Sequence, residues 1–459
     1  MTTTMNSTTT DGRFKSALLH RLPHHRDSTD QKVPHHRPSA DKKVSRRHVS
    51  FDHKSTNLYK PNVDFAPLSL PSSCNPAYFK DFGLEIKNVD PGNMTSGEKK
   101  MVVELLYKHS VLVFSNVKVA PEDQYEFTKM FDPVSEQYGH GNARVQSTQK
   151  SILHPDLKTI PRVPQVQLIG NGTLYNHEGL AEAKLKHPSH QSFHGTSVSE
   201  DDEKKGVTRF YRWHIDAALY NLDPPKVTTL FASTVPHRAP QVCRYDDGTG
   251  DELKVPFGTT AFSSGATMFD ILPKELKSVA VRAQIQYAPH PYVWMSNCKS
   301  NSVGLGLLSE DKELPLDELP EWQADQIKIL PMCWKNPVTG RLHLQVHPSA
   351  IMAIIIAPLP DDDTAEYRES ARYPDGAFID DLQEARDLVY EMQRPGIAPE
   401  LLYCHEWKEN DFVVFNNRGV LHSVVGALKP DDVRAMHQCN LAASEPVVGP
   451  SEEDVLNFA

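Results

Sequence analysis

The sequence predicts an α+β protein whose core is a β-sandwich or jelly roll with flanking helices. From residue 165 onward, short β-prone segments follow one another, separated by turn signals such as "DDGTG", "VTGR" and "NNRG". Many short strands joined by such turns are typical of sandwich and jelly-roll folds. The segments before them alternate between strand and helix patterns, which adds a mixed shell. A chain of 459 residues is long enough to bury a large core of this kind.

The opening elements follow from periodicity and capping. They are, in chain order, a short strand at 82–90, a helix at 95–110, a buried strand at 111–116 and a second amphipathic helix at 120–131. The first helix begins with Thr95 and Glu98 at the spacing of a capping box, in which each side chain accepts a hydrogen bond from the backbone N–H of the other residue. Its apolar residues recur on one face, so we expect this helix to pack against the strands.

The later elements are mostly strands. Strands are predicted at 165–170, 227–235, 259–264, 283–290, 326–334, 342–347, 411–428 and within "RAMHQCNLAA", and a covering helix is predicted at 380–394. Two long insertions interrupt this pattern. Residues 358–377 lack apolar anchors and are predicted to be a surface excursion. Residues 243–258 could be either a functional lid or a surface loop.

The charge of the chain is unevenly distributed. Residues 1–60 contain 12 Lys and Arg against 5 Asp, and the remainder contains 37 Lys and Arg against 54 Asp and Glu. The first segment is also rich in His, Ser, Thr and Pro and has little to bury. We therefore predict a disordered basic tail at 1–75 and a folded domain at 76–459. The acidic body argues against nucleic acid as the main ligand, because phosphate contacts need clustered positive charge.

The cysteine and hydropathy patterns predict the cellular setting. Six scattered cysteines with no C-x-x-C pair argue against a disulfide framework and against a zinc ribbon. No stretch approaches the roughly 18 to 20 apolar residues of a membrane span, and the amino terminus lacks the apolar core of a signal peptide. We therefore expect a cytoplasmic protein without a membrane segment.

Three H-x-D triplets begin at His25, His154 and His214. A His and an Asp two residues apart on a strand point to the same face, so both can reach one metal ion. His25 lies in the predicted tail, and Pro155 after His154 indicates a turn or the start of a helix. Only His214 and Asp216 lie in an aromatic, β-prone context, "TRFYRWHID", which makes them the candidate metal ligands. The alternative is a core histidine that hydrogen-bonds a neighbouring aspartate.

A second histidine from a distant strand must complete such a site. Two histidines and one carboxylate leave three positions of an iron ion open, as non-haem Fe(II) enzymes require for a bidentate co-substrate and O2. One such co-substrate, 2-oxoglutarate, has a far carboxylate that needs a bidentate arginine. In enzymes that use 2-oxoglutarate, this arginine lies about a dozen residues after the second histidine. Two pairs have this spacing, His405 with Arg418 and His422 with Arg434. Arg418 lies in the turn "NNRG" and is expected in solvent or at a rim, whereas Arg434 lies on a predicted strand, so the second pair is preferred.

Four motifs in this order resemble one enzyme family. They are "WHIDAALYNLDPP", "GTTAFSSGATMFDILP", "WKNPVTGRLHLQVHPSA" and "FNNRGVLHSVVGALKPDDVR". Together they resemble the TauD/TfdA dioxygenases, which are Fe(II)- and 2-oxoglutarate-dependent enzymes on a double-stranded β-helix, a variant of the jelly roll. The resemblance covers about residues 76–445. The residues that it implies are His214, Asp216 and His422 for Fe(II), and Arg434 and Thr260 for the far carboxylate of 2-oxoglutarate.

Other motifs, among them "SILHPDLKTIP" and "RAMHQCNLAA", resemble the fungal branch of this family that hydroxylates xanthine at C8 to uric acid. That branch implies xanthine as the substrate and four polar side chains that bind it: Gln165, Lys186, Gln438 and Asn440. Amides match the donors and acceptors of a purine edge, and a lysine favours an anionic purine. The alternative is a related enzyme acting on a sulfonate such as taurine or on another small anion. Two further classes are a non-catalytic jelly-roll binding protein, which would lack a metal ligand, and an interaction protein that acts through its tail.

Overall fold

Short strands, most of them paired antiparallel, form the core of the protein. The computed structural model describes residues 63–140, 158–308, 311–360 and 365–459. The strands of these residues are β1 (Phe65–Pro67), β2 (Leu84–Ile86), β3 (Val111–Phe114), β4 (Lys158–Ile160), β5 (Val163–His177), β6 (Leu180–Leu185), β7 (Val207–Thr208), β8 (Val227–Thr234), β9 (Gln241–Arg244), β10 (Glu252–Val255), β11 (Thr260–Ser264), β12 (Ala283–Tyr287), β13 (Ile329–Pro331), β14 (Cys333–Lys335), β15 (Leu342–Leu344), β16 (Ile351–Ile356), β17 (Ala377–Ile379), β18 (Leu402–His405), β19 (Phe412–Asn416), β20 (Val420–Val424) and β21 (Arg434–Asn440).

The helices lie between and around these strands. They are α1 (Ser96–His109), α2 (Pro121–Lys129), α3 (His190–Phe193), α4 (Glu200–Lys204), α5 (Gly265–Asp270), α6 (Lys274–Arg282), α7 (Pro291–Trp294), α8 (Ala365–Ser370), α9 (Leu382–Gln393) and α10 (Glu452–Phe458). Single turns of 3-10 helix lie at Pro76–Tyr78, Leu316–Glu318, Ala324–Gln326, Arg394–Ile397 and Pro399–Leu401. Among the described helices, none has both the length and the apolar character needed to cross a bilayer.

The largest sheet of the described residues has the strand order β1-β2-β3-β19-β8-β21-β5-β4, with β6 paired to β5. Its central strand β8 shows how the sequence alternates between two cores. Leu230 and Ala232 pack on one face, while Val227 and Phe231 pack on the other, because successive side chains of a strand point in opposite directions. The second face is covered by α1 and α2, whose apolar residues, such as Phe127, share its cluster.

The first face of the large sheet packs against a small sheet of order β18-β11-β20. Phe262 and Tyr403 of the small sheet belong to the same buried cluster as Val413, Phe415 and Met436 of the large one. Two antiparallel sheets thus enclose one apolar layer. This confirms the predicted jelly-roll core, and the helices on the outer face of the large sheet confirm the α+β class.

The four elements predicted within residues 82–131 are found with small changes in their bounds. Thr95 and Glu98 form the capping box of α1, in which the Thr95 N–H donates to Glu98 Oε2 at 2.7 Å. The predicted strand at 326–334 is divided into β13 and β14, and 411–428 is a hairpin of β19 and β20. The folded part also extends before the predicted boundary at residue 76, because β1 pairs with β2.

Some elements were not predicted. One of them is β16, "IMAIII", which pairs with β12 and packs in the largest apolar cluster together with α6 and α9. A continuous apolar run has no alternation, so its period does not distinguish a strand from a buried helix. The strands β6 and β18 and the helix α10 were also missed.

The first insertion, 243–258, is neither a lid nor a free loop. It belongs to a hairpin of β9 and β10, which we call the clamp hairpin (residues 241–255). Its loop carboxylates bind Arg394, whose Nη2 donates to Asp251 Oδ2 at 2.7 Å and whose Nε donates to Asp247. The hairpin is therefore fastened to the turn that follows α9.

The second insertion, predicted as a surface excursion at 358–377, includes α8 and the start of β17.

Several other predictions concern residues outside the described ranges. These are most of the predicted tail, together with the triplets that begin at His25 and His154.

Candidate metal centre

The segment that carries the chosen H-x-D triplet is extended but is not a regular strand. It touches β20 at two isolated antiparallel bridges, Phe210 with Val425 and His214 with His422. At the second bridge the two backbones exchange hydrogen bonds, His214 N to His422 O at 3.0 Å and His422 N to His214 O at 3.1 Å. The prediction of a strand is thus wrong in detail, but the extended backbone still presents His214 and Asp216 on one face.

Those bridges bring together the three predicted metal ligands. His214, Asp216 and His422 each offer one ligand atom, and these atoms lie within 4.8 Å of one another. Asp216 Oδ1 is 3.8 Å from Nε2 of both histidines, and the two ring centroids are 4.1 Å apart. Among the described residues, no other group of three or more His, Cys, Asp or Glu side chains meets in this way. The three residues are called the triad below.

Neighbouring groups orient the triad. The Nδ1–H of His214 donates to the carbonyl of Arg212 at 3.0 Å, which leaves the Nε2 lone pair free to face the other ligands. Asp216 Oδ2 accepts from Thr228 Oγ1 at 2.7 Å and from Gln438 Nε2 at 3.2 Å. Its other oxygen is therefore the one directed between the two imidazoles.

A turn residue fastens the two distant segments of the site. Asn417, in the β19–β20 turn, accepts from the Asp216 N–H and donates to the Asp216 carbonyl, each at 2.8 Å. The same amide donates to the carbonyl of Pro225 at 3.0 Å. Gln345 Nε2 in turn donates to the Asn417 carbonyl at 3.0 Å. The motif "NNRG" predicts a turn but does not indicate this role.

Both histidines of the triad are held neutral. Burial lowers the pKa of His422 to about 3, and the nearby Arg212 adds to this effect. Burial also lowers the pKa of His214 well below its usual range, with a contribution from His422. Neutral imidazoles have the free nitrogen lone pair that a metal requires, so the triad fits a divalent ion without first losing protons.

Arg434 begins β21 and is buried, with 3% of its surface exposed. Its Nε has no hydrogen-bond partner, and it forms no ion pair with any described residue. Burial lowers the pKa of Arg434 to about 10. The side chain packs against Gly258, where a β-carbon would lie 3.8 Å from its Cδ and Nε. Because Gly258 is two residues from Thr260, the start of β11 brings the two predicted carboxylate ligands to the same part of the barrel.

Thr260 is also buried and is prepared to donate. Its Oγ1 accepts from the indole N–H of Trp407 at 3.1 Å, so the hydroxyl proton is left for another partner. A buried guanidinium and a buried hydroxyl that both lack an acceptor suit a carboxylate of a bound molecule.

The rival pair has a different role. His405 hydrogen-bonds Tyr403 through Nδ1 at 2.8 Å and Asp411 through Nε2 at 3.1 Å, so both ring nitrogens are used within the fold. Arg418 is not in solvent as expected. Its guanidinium donates to the carbonyls of Pro224 at 3.0 Å and Glu445 at 2.8 Å, and it thereby supports the β19–β20 turn. The choice of His422 and Arg434 over this pair agrees with these contacts.

The comparison with known families decides the class. The model of the taurine catabolism dioxygenase TauD, TfdA family matches residues 70–440. This protein belongs to the TauD/TfdA family. Its topology and this membership together confirm the predicted fold, a jelly-roll core of the TauD type with flanking helices.

Three curated fungal relatives of this TauD/TfdA protein carry the name alpha-ketoglutarate-dependent xanthine dioxygenase. The relative from Neurospora crassa is 52% identical, over 82% of this chain and 86% of its own. The one from Emericella nidulans is 50% identical, over 80% of this chain and 94% of its own. The one from Schizosaccharomyces pombe is 49% identical, over 82% of this chain and 87% of its own.

Only some of the four predicted substrate residues lie near the triad. Gln438 contacts Asp216, and Asn440 lies two residues further along β21 with both amide atoms buried and without partners. Gln165 makes a weak contact with the Glu136 carbonyl at 3.5 Å. Lys186 is exposed after the end of β6. Neither Gln165 nor Lys186 contacts the triad within the described residues.

Other side chains near the triad of this TauD/TfdA protein were missed. They share one property: each is at least partly buried and has a buried polar atom without a hydrogen-bond partner. With the predicted Arg434 and Asn440 they form the unpartnered set, which consists of His140, Gln167, His187, Arg212, His347, Arg434 and Asn440. Gln167 lies directly opposite Gln438 in the β5–β21 register, and the ring of His347 is 6.4 Å from that of His214. So many unpaired polar atoms around one cluster indicate a site built for a polar molecule.

Proposed function

We propose that this protein is an Fe(II)- and 2-oxoglutarate-dependent dioxygenase that hydroxylates xanthine at C8, giving uric acid, succinate and CO2. The observation that carries the proposal is the 49–52% identity with three proteins named xanthine dioxygenases, over most of both chains. The complete triad and the buried, unpaired Arg434 agree with it. In this reaction one atom of O2 enters the purine and the other enters succinate, so the oxidation of the purine is balanced by the decarboxylation of 2-oxoglutarate.

The triad would hold the iron. Two neutral imidazoles and one carboxylate are a ligand set that suits Fe(II) and leaves positions open for a co-substrate and O2. When bound, the iron supplies the activation of O2 that the protein side chains cannot supply. The contribution of the chain is positioning: the Arg212 carbonyl fixes the ring of His214, and Thr228 fixes the carboxylate of Asp216.

Arg434 and Thr260 would bind the far carboxylate of 2-oxoglutarate. A bound carboxylate would give the Arg434 guanidinium the anionic partner that it lacks in the fold. The hydroxyl of Thr260, already accepting from Trp407, would donate its proton to the same group. This arrangement orients the co-substrate from its far end, so that its other end is directed towards the triad.

We propose Gln438 and Asn440 as substrate residues, because they follow Arg434 on β21 and their amides can pair with a purine edge. Gln167 joins them, since it faces Gln438 across the sheet and its Nε2 is unpartnered. Roles for Gln165 and Lys186 stay predictions of the sequence. The cytoplasmic location also stays a prediction.

The test is turnover by the purified protein with Fe(II), ascorbate, 2-oxoglutarate and air. Xanthine, hypoxanthine and taurine are offered separately, and succinate and urate are quantified for each. We expect xanthine to give urate and succinate in equal amounts, and taurine to give no more succinate than the blank. Succinate from taurine together with no urate from xanthine would replace this proposal by the sulfonate alternative.

A further inference from the structure

Arg212 is a buried cation without an anionic partner among the described residues. Only 7% of its surface is exposed, and its Nε and Nη1 are buried and have no hydrogen-bond partner. It forms no ion pair with any described residue. Taking a charge out of water costs several kcal/mol unless a partner compensates it, so an unpaired arginine in the interior requires an explanation.

Aromatic rings surround the guanidinium and explain how it is held. Its central carbon is 5.6 Å from the ring centroid of Phe193, 5.5 Å from that of Tyr211 and 5.6 Å from that of Tyr292. Attraction to these ring faces offsets only part of the cost of burying the ion. The rings therefore position the charge and leave it without a compensating anion.

Arg212 lies beside the metal centre. Arg212, His214 and Asp216 alternate along one extended segment and so share a face. A series of rings links Arg212 to the triad: Tyr292, whose ring lies beside the guanidinium, has its centroid 6.0 Å from that of His347, which is 6.4 Å from that of His214. The charge of Arg212 also acts to lower the pKa of His140 and of Tyr292. Arg212 therefore faces the space beside the triad.

The carboxylate nearest along the chain does not compensate Arg212. Asp216 directs Oδ2 to Thr228 and Gln438 and Oδ1 to the two triad histidines. With a divalent iron and doubly negative 2-oxoglutarate bound, the charges of the iron, Asp216, Arg434 and the co-substrate cancel. One buried positive charge, that of Arg212, is left over.

We propose that Arg212 binds the purine as a monoanion, so that the site selects deprotonated over neutral xanthine. The inference rests on the proposed function and adds to it the ionisation state of the substrate and the residue that selects it. Xanthine is a weak acid that loses its first proton near neutral pH, and urate is a stronger acid, so both are available as anions. Lys186 was predicted for this role from the sequence, but it is exposed, whereas Arg212 is buried beside the triad.

The test compares Arg212→Met, Arg212→Lys and a surface control, Arg341→Met, whose arginine is 42% exposed and paired with Asp270. Without O2, the Kd of xanthine for the complex with Fe(II) and 2-oxoglutarate is measured by calorimetry, and so is the Kd of 2-oxoglutarate. We expect Arg212→Met to raise the Kd of xanthine by at least about tenfold, Arg212→Lys to raise it less, and 2-oxoglutarate to bind within about twofold of wild type. The control should bind both as the wild type does.

A pH series supplies a second readout, and its wild-type half does not depend on the folding of any variant. Wild-type affinity for xanthine should rise as pH passes upward through the first ionisation of xanthine, and Arg212→Met should lose this rise. His140 and His347, which face Arg212, do not interfere because burial lowers the pKa of each, and His422 would be a ligand of the iron that the assay contains. Wild-type affinity that is flat or falls with pH would overturn the inference.

Other outcomes also decide against it. If Arg212→Met weakens 2-oxoglutarate instead of xanthine, the arginine binds the co-substrate. If Lys186→Met raises the Kd of xanthine and Arg212→Met does not, the lysine binds the anion. The proposed function is judged separately, by whether the wild type converts xanthine to urate, so unchanged affinity in Arg212→Met with intact wild-type turnover refutes this inference alone.

Discussion

The clamp hairpin binds one buried arginine, Arg394, and the metal centre contains another, Arg434, and the two have opposite surroundings. Arg394 donates to Asp247, to Thr249 Oγ1 at 2.9 Å and to Asp251 at 2.7 Å. Arg434 forms no ion pair and leaves its Nε without a partner. Where a charge serves the fold, the fold supplies its partner. Where a charge serves a bound molecule, the partner is left to that molecule.

The pKa shifts of these groups follow the same division. Burial alone would raise the pKa of Asp247, but hydrogen bonds from Arg394 and Thr249 outweigh it and hold this pKa well below its usual range. Burial alone would lower the pKa of Arg394, and the two carboxylates reverse that as well. Nothing reverses it for Arg434, whose pKa is lowered to about 10.

The largest expected effect is at the triad. Asp216→Ala removes the only carboxylate ligand, so we expect turnover of 2-oxoglutarate and xanthine to fall by about 1000-fold or more, together with loss of bound iron. Succinate formation and metal content of the purified protein measure both effects. Asp375→Ala, at an aspartate that is 92% exposed, is the matched control and should resemble the wild type. A variant that keeps its iron and its turnover would contradict the assignment of the triad.

Arg434→Met should separate function from stability. Loss of the guanidinium should raise the Kd of 2-oxoglutarate by about 100-fold, since a charge-assisted bidentate contact is lost. The ligand-free protein should melt at the wild-type temperature or above it, because replacing an unpaired buried charge by an apolar chain of similar length removes a desolvation cost. Calorimetric binding and thermal unfolding test the two halves. A fall in Tm with unchanged affinity would show that Arg434 serves the fold instead.

Arg394→Met should show the reverse pattern. Removing this arginine leaves Asp247 and Asp251 without their partner, and breaking a buried pair costs about 3–5 kcal/mol. We expect a smaller loss here, about 2–3 kcal/mol, because Asp251 is partly exposed. Urea unfolding of the metal-free protein measures it. The Kd of 2-oxoglutarate should be unchanged, and a large rise would place the clamp hairpin in the site.

The smallest expected effect, counted for one residue over one pH unit, is a pH dependence of stability away from the triad. Burial lowers the pKa of His190, His194 and His343 to about 4. Below the ordinary histidine pKa of about 6.5, the unfolded chain binds protons that the folded chain does not. The free energy of unfolding therefore decreases as the pH is lowered from about 6.5 to about 4. Each histidine should contribute about 1 kcal/mol per pH unit in that window.

Urea midpoints at pH 7.5, 6 and 5 measure this pH dependence. The variant His343→Gln should show a shallower decline than the wild type, because the proton that this ring binds on unfolding is removed from the balance. Equal stability at pH 7.5 and pH 5 would mean that these rings are protonated in the folded state.

The sequence predicted the parts of the fold that depend on local rules. The α1 cap follows from Thr95 and Glu98, and the buried strand β3 follows from a short apolar run bounded by polar residues. It failed at β16, where a continuous apolar run carries no period. It also gave the extended segment of His214 more regularity than the two isolated bridges allow, since pairing depends on β20 and not on local propensity.

The site was predictable where spacing carried the information. The triad and Arg434 could be selected because an H-x-D triplet, a distant histidine and an arginine twelve residues further on restrict one another. Arg212 could also have been found, since alternation places it on the ligand face of His214. Asn417 could not, because its partners Asp216 and Pro225 are known only once the chain is folded.

The hydrogen bonds of Asn417 join residues that are 201 positions apart in the chain. Contacts of such separation are slow to form, because the chain must first pay the entropy of closing a long loop. The ligand set therefore exists only after the two halves of the barrel have met, and a partly folded chain presents no site for the ion. Iron would then bind the finished structure and stabilise it by mass action.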